Sequence, residues 1–370
     1  MFKRGAPPNT GVHWSSESEC FESKVGPARI EKAPRQAATC LTSSAPCIPP
    51  IKSIIRGLFC ATTALAFCSL LTASAKDIVY LTPGLDLPFW RYLSKGVESV
   101  AKKESYGYQA FDSHNDAQTQ LKNAQDAIAR GVAGIVISPT DSSTCPSVLA
   151  LAQKANIPVV IADIGTNEGE YVSFIISDNR EGAYGSGKAL VAAMKEKGMT
   201  DGTVGLVTIS LTRNNGKLRT AGFRAALEEG GIKECALEQM QNYTASETFK
   251  YAQDMLTANP NMKGMFIETD QPTMGALRAI KAARREGSIL VAGFDGIPEF
   301  VDLLKKGEIV VSGMQQPYLM GVRSGEALFK HLKGEPVEKQ ILVPIVIVTS
   351  KNIDQMLPTI KETVFANEMK

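Results

Sequence analysis

Histidine and cysteine are scarce in this chain of 370 residues, which contains three histidines and seven cysteines. Five of the cysteines lie within residues 1–75, so that Cys145 and Cys235 are the two found downstream. The downstream histidines, His114 and His331, stand close neither to each other nor to a cysteine. This spacing matches no zinc-binding pattern and offers no histidine-based nucleophile pair. The sequence therefore predicts no metal site, no catalytic residue and no enzyme activity.

The chain also lacks an excess of positive charge, because its formal net charge is +2. Residues 1–75 contain eight Lys/Arg and four Asp/Glu, which leaves 32 basic and 34 acidic residues, or −2, for residues 76–370. Proteins that bind nucleic acid usually present a basic patch or stripe. We therefore expect no nucleic-acid partner. Hydrophobic residues make up 44% of the chain, which is ordinary for a globular protein.

The apolar run Gly57–Leu71 is about 15 residues long, which is short for a membrane span of roughly 20 residues. Lys52 and Arg56 precede it, and the A-x-A motif Ala73-Ser74-Ala75 follows it. A basic segment, an apolar segment and a small-residue cleavage motif in this order are typical of a secretory signal peptide. We therefore predict a cleavable signal peptide over residues 51–75 and a periplasmic location. A membrane anchor is the alternative that the short run disfavours.

The mature chain is expected to begin at Lys76, directly after the cleavage motif. Residues 1–50 show neither helical nor strand periodicity, so we interpret them as a non-globular extension. Because signal peptides normally begin near the initiator, a misplaced start codon is one hypothesis for this extension. Attachment of a lipid at Cys68 is disfavoured because Phe67, a bulky residue, precedes it.

From Lys76 onward, short β-branched runs alternate with longer amphipathic segments. This alternation predicts parallel sheets covered by helices on both faces. About 295 residues in two such series indicate an α/β protein with two doubly wound parallel-sheet lobes. The predicted strands are 77–81, 108–112, 134–138, 158–162 and 171–177 in the first series, and 203–209, 236–241, 264–268, 289–294 and 309–314 in the second, with 341–348 returning late.

Several strand ends run into polar turns and helix starts, a pattern that places polar side chains at a cleft. The segments are S-D-N at 177–179, R-x-x-G-F at 219–223, G-A-L-R-A at 275–279 and V-x-G-F-D-G-x-P at 291–298. In this order they resemble the ribose-binding family of periplasmic sugar receptors, and the resemblance extends over nearly all of residues 76–370.

The resemblance implies the type 1 periplasmic-binding-protein fold, with three hinge crossings near Ser177–Asp178, Gln315–Gln316 and Val346. No Gly/Ser-rich or Pro-rich linker separates the two series, so the lobes are expected to open and close as rigid bodies. Cys145 and Cys235 would then lie in different lobes, which favours two free thiols over a disulfide. The implied N-terminal lobe comprises 76–177 and 316–346, and the C-terminal lobe comprises 178–315 and 347–370.

Phe89 and Trp90 follow the first predicted strand, and Pro88 suits the first turn of the helix that contains them. Adjacent aromatic rings at a cleft can stack on the apolar C–H faces of a sugar. The alternative is that both rings belong to the core, although neighbours in sequence do not share one helix face. The resemblance favours stacking.

Polar ligand contacts are implied by the resemblance rather than by spacing. Asp163 would accept hydrogen bonds from sugar hydroxyls, and Arg219 and Asp295 match ligand-binding positions of the family. Asp163 as a turn former and Arg219 as a solvated side chain are the structural alternatives. The complete predicted set is Phe89, Trp90, Asp163, Arg219, Tyr243, Thr269, Asp295 and Gln315.

Glu268, Thr269 and Asp270 lie together at one strand end before Pro272. The alternative to a ligand contact there is capping of the next helix, by Asp270 or by Thr273.

Three positions depart from the ribose-binding pattern and make ribose itself a doubtful ligand. Leu87 stands where the family has Asn, Ile164 where it commonly has Arg, and Thr269 where it often has Asn. The Ile164 exchange removes a planar guanidinium group with five donors.

The resemblance implies a periplasmic solute-binding protein that captures a sugar or sugar-like polyol between two closing lobes. It would act as a monomer without a cofactor and deliver its ligand to the permease of an ABC importer. A ligand-sensing subunit for a chemoreceptor or sensor kinase is the alternative. The ligand core of lactose-repressor-type transcription factors shares the expected architecture, but it predicts an N-terminal helix-turn-helix where this chain has an export signal.

Overall fold

The computed structural model describes residues 77–369. The expected extension over 1–50, the signal peptide over 51–75 and the start at Lys76 lie outside the described residues. The strands are β1 (Asp77–Thr82), β2 (Gly107–Asp112), β3 (Gly134–Ile137), β4 (Val159–Ala162), β5 (Ser173–Ser177), β6 (Thr203–Thr208), β7 (Lys233–Gln239), β8 (Met262–Ile267), β9 (Leu290–Phe294), β10 (Val311–Met314), β11 (Gln340–Val343) and β12 (Val346–Thr349). The helices are α1 (Pro88–Lys103), α2 (Ala117–Ala129), α3 (Cys145–Lys154), α4 (Asn179–Glu196), α5 (Asn214–Gly230), α6 (Ala245–Ala258), α7 (Asp270–Ala282), α8 (Glu299–Lys306), α9 (Pro317–Leu332) and α10 (Ile353–Thr363).

The strands form two six-stranded sheets, each the centre of one lobe. The order in the first lobe is β11-β5-β4-β3-β1-β2, and in the second lobe it is β12-β10-β9-β8-β6-β7. Apart from the antiparallel pair of β10 and β12, the paired strands are parallel. Strands such as β3 and β9 are buried along their whole length, which explains their apolar sequences. The predicted fold class is confirmed.

The chain crosses between the lobes three times. The first crossing follows β5, which ends at Ser177, and the second follows β10, which ends at Met314. The third separates β11 from β12, so the single strand expected over 341–348 is wrong. Pro344 has no N–H group to continue the ladder there. Gln316 Nε2 donates to the carbonyl oxygen of Pro344 at 2.8 Å, which ties two of the crossings together.

Val346 belongs to the second lobe, although the boundary expected from the sequence placed it in the first. It pairs with Met314 at the end of β10 in the second sheet. The crossing that the resemblance implied near Val346 lies between Val343, the last residue of β11, and Val346, the first residue of β12.

Glycines allow helices to pack closely in both lobes. In the first lobe, a Cβ atom at Gly321 of α9 would overlap the carbonyl oxygen of Leu93 in α1. In the second lobe, a Cβ atom at Gly222 of α5 would overlap the carbonyl oxygen of Arg180 in α4. The two helix backbones are therefore in direct contact, and glycine is required in spite of its unfavourable entropy inside a helix. The close packing of α5 also fixes the helix that carries Arg219.

We expect Gly222→Ala to lower the free energy of unfolding by about 1–3 kcal/mol, because the added methyl group forces the two helices apart. Alanine favours a helix more than glycine does, and this gain offsets only part of the loss. Urea unfolding followed by circular dichroism measures the change, with Glu228→Ala at an exposed position of the same helix as the control. A Gly222→Ala protein as stable as its parent would contradict the proposed close packing.

Candidate functional site

A cavity lies between the two sheets, where the carboxyl ends of their strands face each other. Its interior leaves about 40 Å³ for the centres of water-sized molecules. Asp163 follows β4, Asp295 follows β9 and Gln315 follows β10, so the parallel strands of both lobes direct polar side chains to one place. All eight residues predicted from the sequence line this cavity: Phe89, Trp90, Asp163, Arg219, Tyr243, Thr269, Asp295 and Gln315.

Arg219 is the most extensively bonded side chain of the site, and 2% of its surface is exposed. Its Nε donates to Asn179 Oδ1 at 2.8 Å. Its Nη1 donates to the carbonyl oxygen of Glu268 at 2.7 Å and to Asp295 Oδ2 at 3.2 Å. Its Nη2 donates to Gln315 Oε1. Arg219 is therefore a buried group that uses four of its five N–H donors within the protein, and the alternative of a solvated side chain is wrong.

Asp295 presents an unused acceptor in the cavity. Its backbone is left-handed, with φ of 59°, a conformation that Asp tolerates better than most residues. Oδ2 accepts from Arg219 and from Thr269 Oγ1, the latter at 3.3 Å. Oδ1 is buried and has no hydrogen-bond partner among the described residues. Burial raises the pKa of Asp295 to about 7, and the positive charge of Arg219 opposes that rise.

Asp163 joins the first lobe to the second. Gln315 Nε2 donates to Asp163 Oδ1 at 2.8 Å, and Asn215 Nδ2 donates to Asp163 Oδ2 at 2.9 Å. Burial raises the pKa of Asp163, while Arg219 lowers it. Each carboxylate oxygen can accept a second bond, so Asp163 can contact a ligand and hold the lobes together at the same time.

Phe89 and Trp90 pack edge to face, with ring centroids 4.7 Å apart. Both line the cavity, and both also belong to the apolar core of the first lobe. The two alternatives considered from the sequence are therefore not exclusive, because each ring has one side in the core and another at the cavity. Tyr243, from the second lobe, lines the same cavity.

The side chains of Glu268, Thr269 and Asp270 lie in three different environments. Asp270 is the first residue of α7 and lines the cavity, and burial raises its pKa to about 6. Glu268 points away from the cavity, accepting from the N–H of Ile209 at 3.2 Å and from Thr220 Oγ1 at 2.7 Å. Burial raises the pKa of Glu268 to about 8. Thr269 makes no capping bond with its side chain.

The set predicted from the sequence leaves out Arg213, Asn215 and Asp270, the last of which was considered as a cap of the next helix. Arg213 lines the cavity, and its guanidinium carbon lies 4.6 Å from the centre of the Tyr243 ring. A usable signal was present, because Arg213 lies in the connection after β6 and Asn215 in the first turn of α5, and side chains that follow the strands of a parallel sheet gather at one edge. Ile164 is buried in the core of the first lobe and does not line the cavity.

The site combines carboxylates, guanidinium groups and aromatic rings. Asp163, Asp270 and Asp295 supply acceptors, and Arg213 and Arg219 supply donors. Within residues 77–369, no group of three or more His, Cys, Asp or Glu side chains is arranged to hold a metal ion. No helix in the same part of the chain is both long and apolar enough to cross a bilayer. The arrangement suits a ligand that both donates and accepts hydrogen bonds and has an apolar face.

Comparison with known proteins agrees with this description. Residues 78–336 match the family model of the periplasmic binding protein domain. The ribose import binding protein RbsB of Escherichia coli K12 is 31% identical over 280 residues, which cover 75% of this chain and 93% of that protein. A D-apiose import binding protein of Paraburkholderia graminis is 30% identical over 302 residues, covering 80% and 95%.

Among solved structures, a carbohydrate transporter solute-binding protein of Agrobacterium radiobacter in complex with D-arabinose superposes with a TM-score of 0.73. It is 25% identical in sequence, and the match covers 79% of this chain and 99% of that one.

The raised pKa of Glu268 predicts a pH-dependent stability. Between its ordinary value of 4.5 and about 8, the folded protein keeps a proton that the unfolded chain releases. The free energy of unfolding therefore falls as pH rises through this window, by at most about 1.4 kcal/mol per pH unit. In Glu268→Gln this contribution is absent, so stability should vary less with pH.

Urea unfolding at about pH 5, 6, 7 and 8 measures the slope in the parent and in Glu268→Gln. Glu286→Gln, at an exposed position of the second lobe, is the control and should keep the parental slope. Equal slopes in the parent and in Glu268→Gln would show that Glu268 is ionised in the fold.

Proposed function

The chain belongs to the periplasmic binding protein family, whose members bind solutes and are not enzymes, and we propose that it captures one uncharged monosaccharide or related polyol between its lobes. The observation that carries this proposal is the buried, unpaired Oδ1 of Asp295 beside the bonded Arg219. An unpaired buried acceptor destabilises the protein, and a ligand hydroxyl at this position would satisfy it.

The charges of the cavity support an uncharged ligand. Three carboxylates, from Asp163, Asp270 and Asp295, stand against the guanidinium groups of Arg213 and Arg219. Arg219 is already engaged by protein acceptors, so a phosphate group would be poorly compensated. Phe89 and Trp90 offer ring surface for the C–H face of a sugar.

The size of the cavity supports a single ring. A sphere of 40 Å³, widened by a water radius, encloses on the order of 180 Å³, which is the space of roughly six water molecules. This is enough room for one pentose or hexose with its hydroxyl groups.

Export and delivery complete the proposal. The relatives named above are import binding proteins for ribose and D-apiose, and we propose the same role here, with a monomer that passes its ligand to the permease of an ABC importer. The signal peptide over 51–75 would place the mature chain in the periplasm. Presentation of the bound ligand to a chemoreceptor or sensor kinase stays the alternative, because both roles use the same binding chemistry.

Mass spectrometry of periplasmic protein tests the export step. We expect a mature product that begins at Lys76, because the A-x-A motif ends at Ala75. A chain that keeps residues 1–75 in the periplasm would contradict the cleavage. The neighbouring genes distinguish the partners, since a permease and an ATPase favour import whereas a histidine kinase favours sensing.

A thermal-shift screen of free pentoses, hexoses, deoxysugars and polyols tests the ligand class. A ligand at 100 times its dissociation constant adds about 2.7 kcal/mol to stability. We expect at least one uncharged sugar or polyol to raise the melting temperature. Tight binding of a sugar phosphate without binding of the parent sugar would contradict the proposal.

Isothermal titration with the best sugar tests the site. Arg219→Ala should weaken binding by roughly 2–5 kcal/mol, because its partners are left buried and unpaired when the lobes close. Asp295→Ala should also weaken binding, while Asp302→Ala, at an exposed position of α8, should not. An Arg219→Ala protein that binds as tightly as its parent would show that the site lies elsewhere.

A further inference from the structure

One short segment of the second lobe makes a series of hydrogen bonds to the first lobe across the cleft. This clasp segment, Arg213–Asn215, connects β6 to the first turn of α5. The backbone N–H of Asn214 donates to Ser142 Oγ at 3.3 Å, and Asn215 Nδ2 donates to Asp163 Oδ2 at 2.9 Å. Outside the clasp segment and the crossings, Lys95 of the first lobe bonds Glu368 of the second, and the Thr212 hydroxyl, next to the clasp segment, bonds the carboxylate of Asp141.

Arg213 makes the two charge-assisted bonds of the clasp segment. Its Nε donates to the carbonyl oxygen of Thr140 at 3.0 Å, and its Nη2 donates to Asn115 Oδ1 at 2.6 Å. Its side chain also stacks on the ring of Tyr243 in its own lobe. Because the acceptors belong to the first lobe, these bonds exist only when the lobes are closed.

Arg213 also stands between the ligand cavity and a larger outer recess. The recess leaves about 550 Å³ for the centres of water-sized molecules, and polar residues such as Asp86, His114 and Gln241 line it. Arg213 and Tyr243 line both spaces, as do Leu87 and Trp90. A ligand substituent that extends toward the recess would meet the guanidinium group of Arg213.

We propose that Arg213 is a gate residue, which latches the closed lobes and limits the ligand to a single sugar ring. The proposal rests on the proposed function, since it assigns the residue that controls closure around that ligand. The latch slows opening, and therefore affects the dissociation rate more than the association rate. The size limit follows from the position of the guanidinium group between the two spaces.

A change at Asn115 tests the latch without altering a ligand contact, because Asn115 bonds Arg213 but does not line the ligand cavity. Its backbone is left-handed, with φ of 54°, so Asn115→Gly removes the acceptor without backbone strain. His114→Gly is the matched control, since His114 has φ of 48° in the same turn and accepts no bond from Arg213. Arg213→Met removes the donors and keeps an apolar chain against Tyr243.

Stopped-flow kinetics with the tightest-binding sugar of the screen provide the test. We expect Asn115→Gly and Arg213→Met each to raise the dissociation rate about tenfold, the order expected for a hydrogen bond to a charged group, with association changed less than about twofold. His114→Gly should match the parent. In the Arg213→Met background, Asn115→Gly should have no further effect, because their shared bond is already lost. An Asn115→Gly protein with parental kinetics, or with the same effect in both backgrounds, overturns the latch.

Binding of the mono-O-methyl ethers and methyl glycosides of the same sugar tests the size limit. At least one derivative that the parent rejects should bind to Arg213→Met, because the removed guanidinium group opens the cavity to the recess. If Arg213→Met rejects the same derivatives as the parent protein, the proposed size limit is wrong.

A parent protein that binds no sugar would contradict the proposed function and not the latch. The latch is then judged by single-molecule energy transfer between dyes on the two lobes. The closed fraction must be lower in Asn115→Gly than in His114→Gly, and equal fractions overturn the latch.

Discussion

The cavity depends on one buried interaction, between the guanidinium group of Arg219 and the acceptors that surround it. Removing a charge from water is costly, and the cost is recovered only when the group is fully hydrogen-bonded. Here the acceptors come from the start of α4, the ends of β8 and β9, and the second crossing. Arg219 therefore fixes four separate parts of the chain around the ligand space, and a change in any one of them disturbs the others.

Buried carboxylates create a second constraint, because the site contains more acid than base. Glu268 lies behind the cavity wall, and its pKa is raised by burial. Asp295 keeps an oxygen without a partner. Both features lower the stability of the folded protein. Such costs are common at functional sites, where groups are arranged for a ligand rather than for the fold alone.

The alternation of β-branched runs with amphipathic segments predicted the fold, because such runs form buried parallel strands. The eight cavity residues came from the resemblance to the ribose-binding family, and the ends of the strands account only for polar residues such as Asp163, Asp295 and Gln315. The sequence could not predict contacts between lobes. Arg213 and Asn115 are 98 residues apart and meet only through the tertiary arrangement. The residues 341–348 were predicted as one strand for a related reason, since Ile341 and Val346 look alike in sequence but pair with different sheets.

The third crossing has a consequence for how the protein is made. The first sheet is completed by β11 and covered by α9, and the second is completed by β12. A fragment that ends before Val346 lacks β12, so its second sheet has five of the six strands. During synthesis, helix α1 must wait for α9, whose first residue is Pro317, before its glycine-lined contact can form. The C-terminal residues after Pro317 therefore complete first one lobe and then the other, so neither lobe has all of its strands until this last part of the chain has been made.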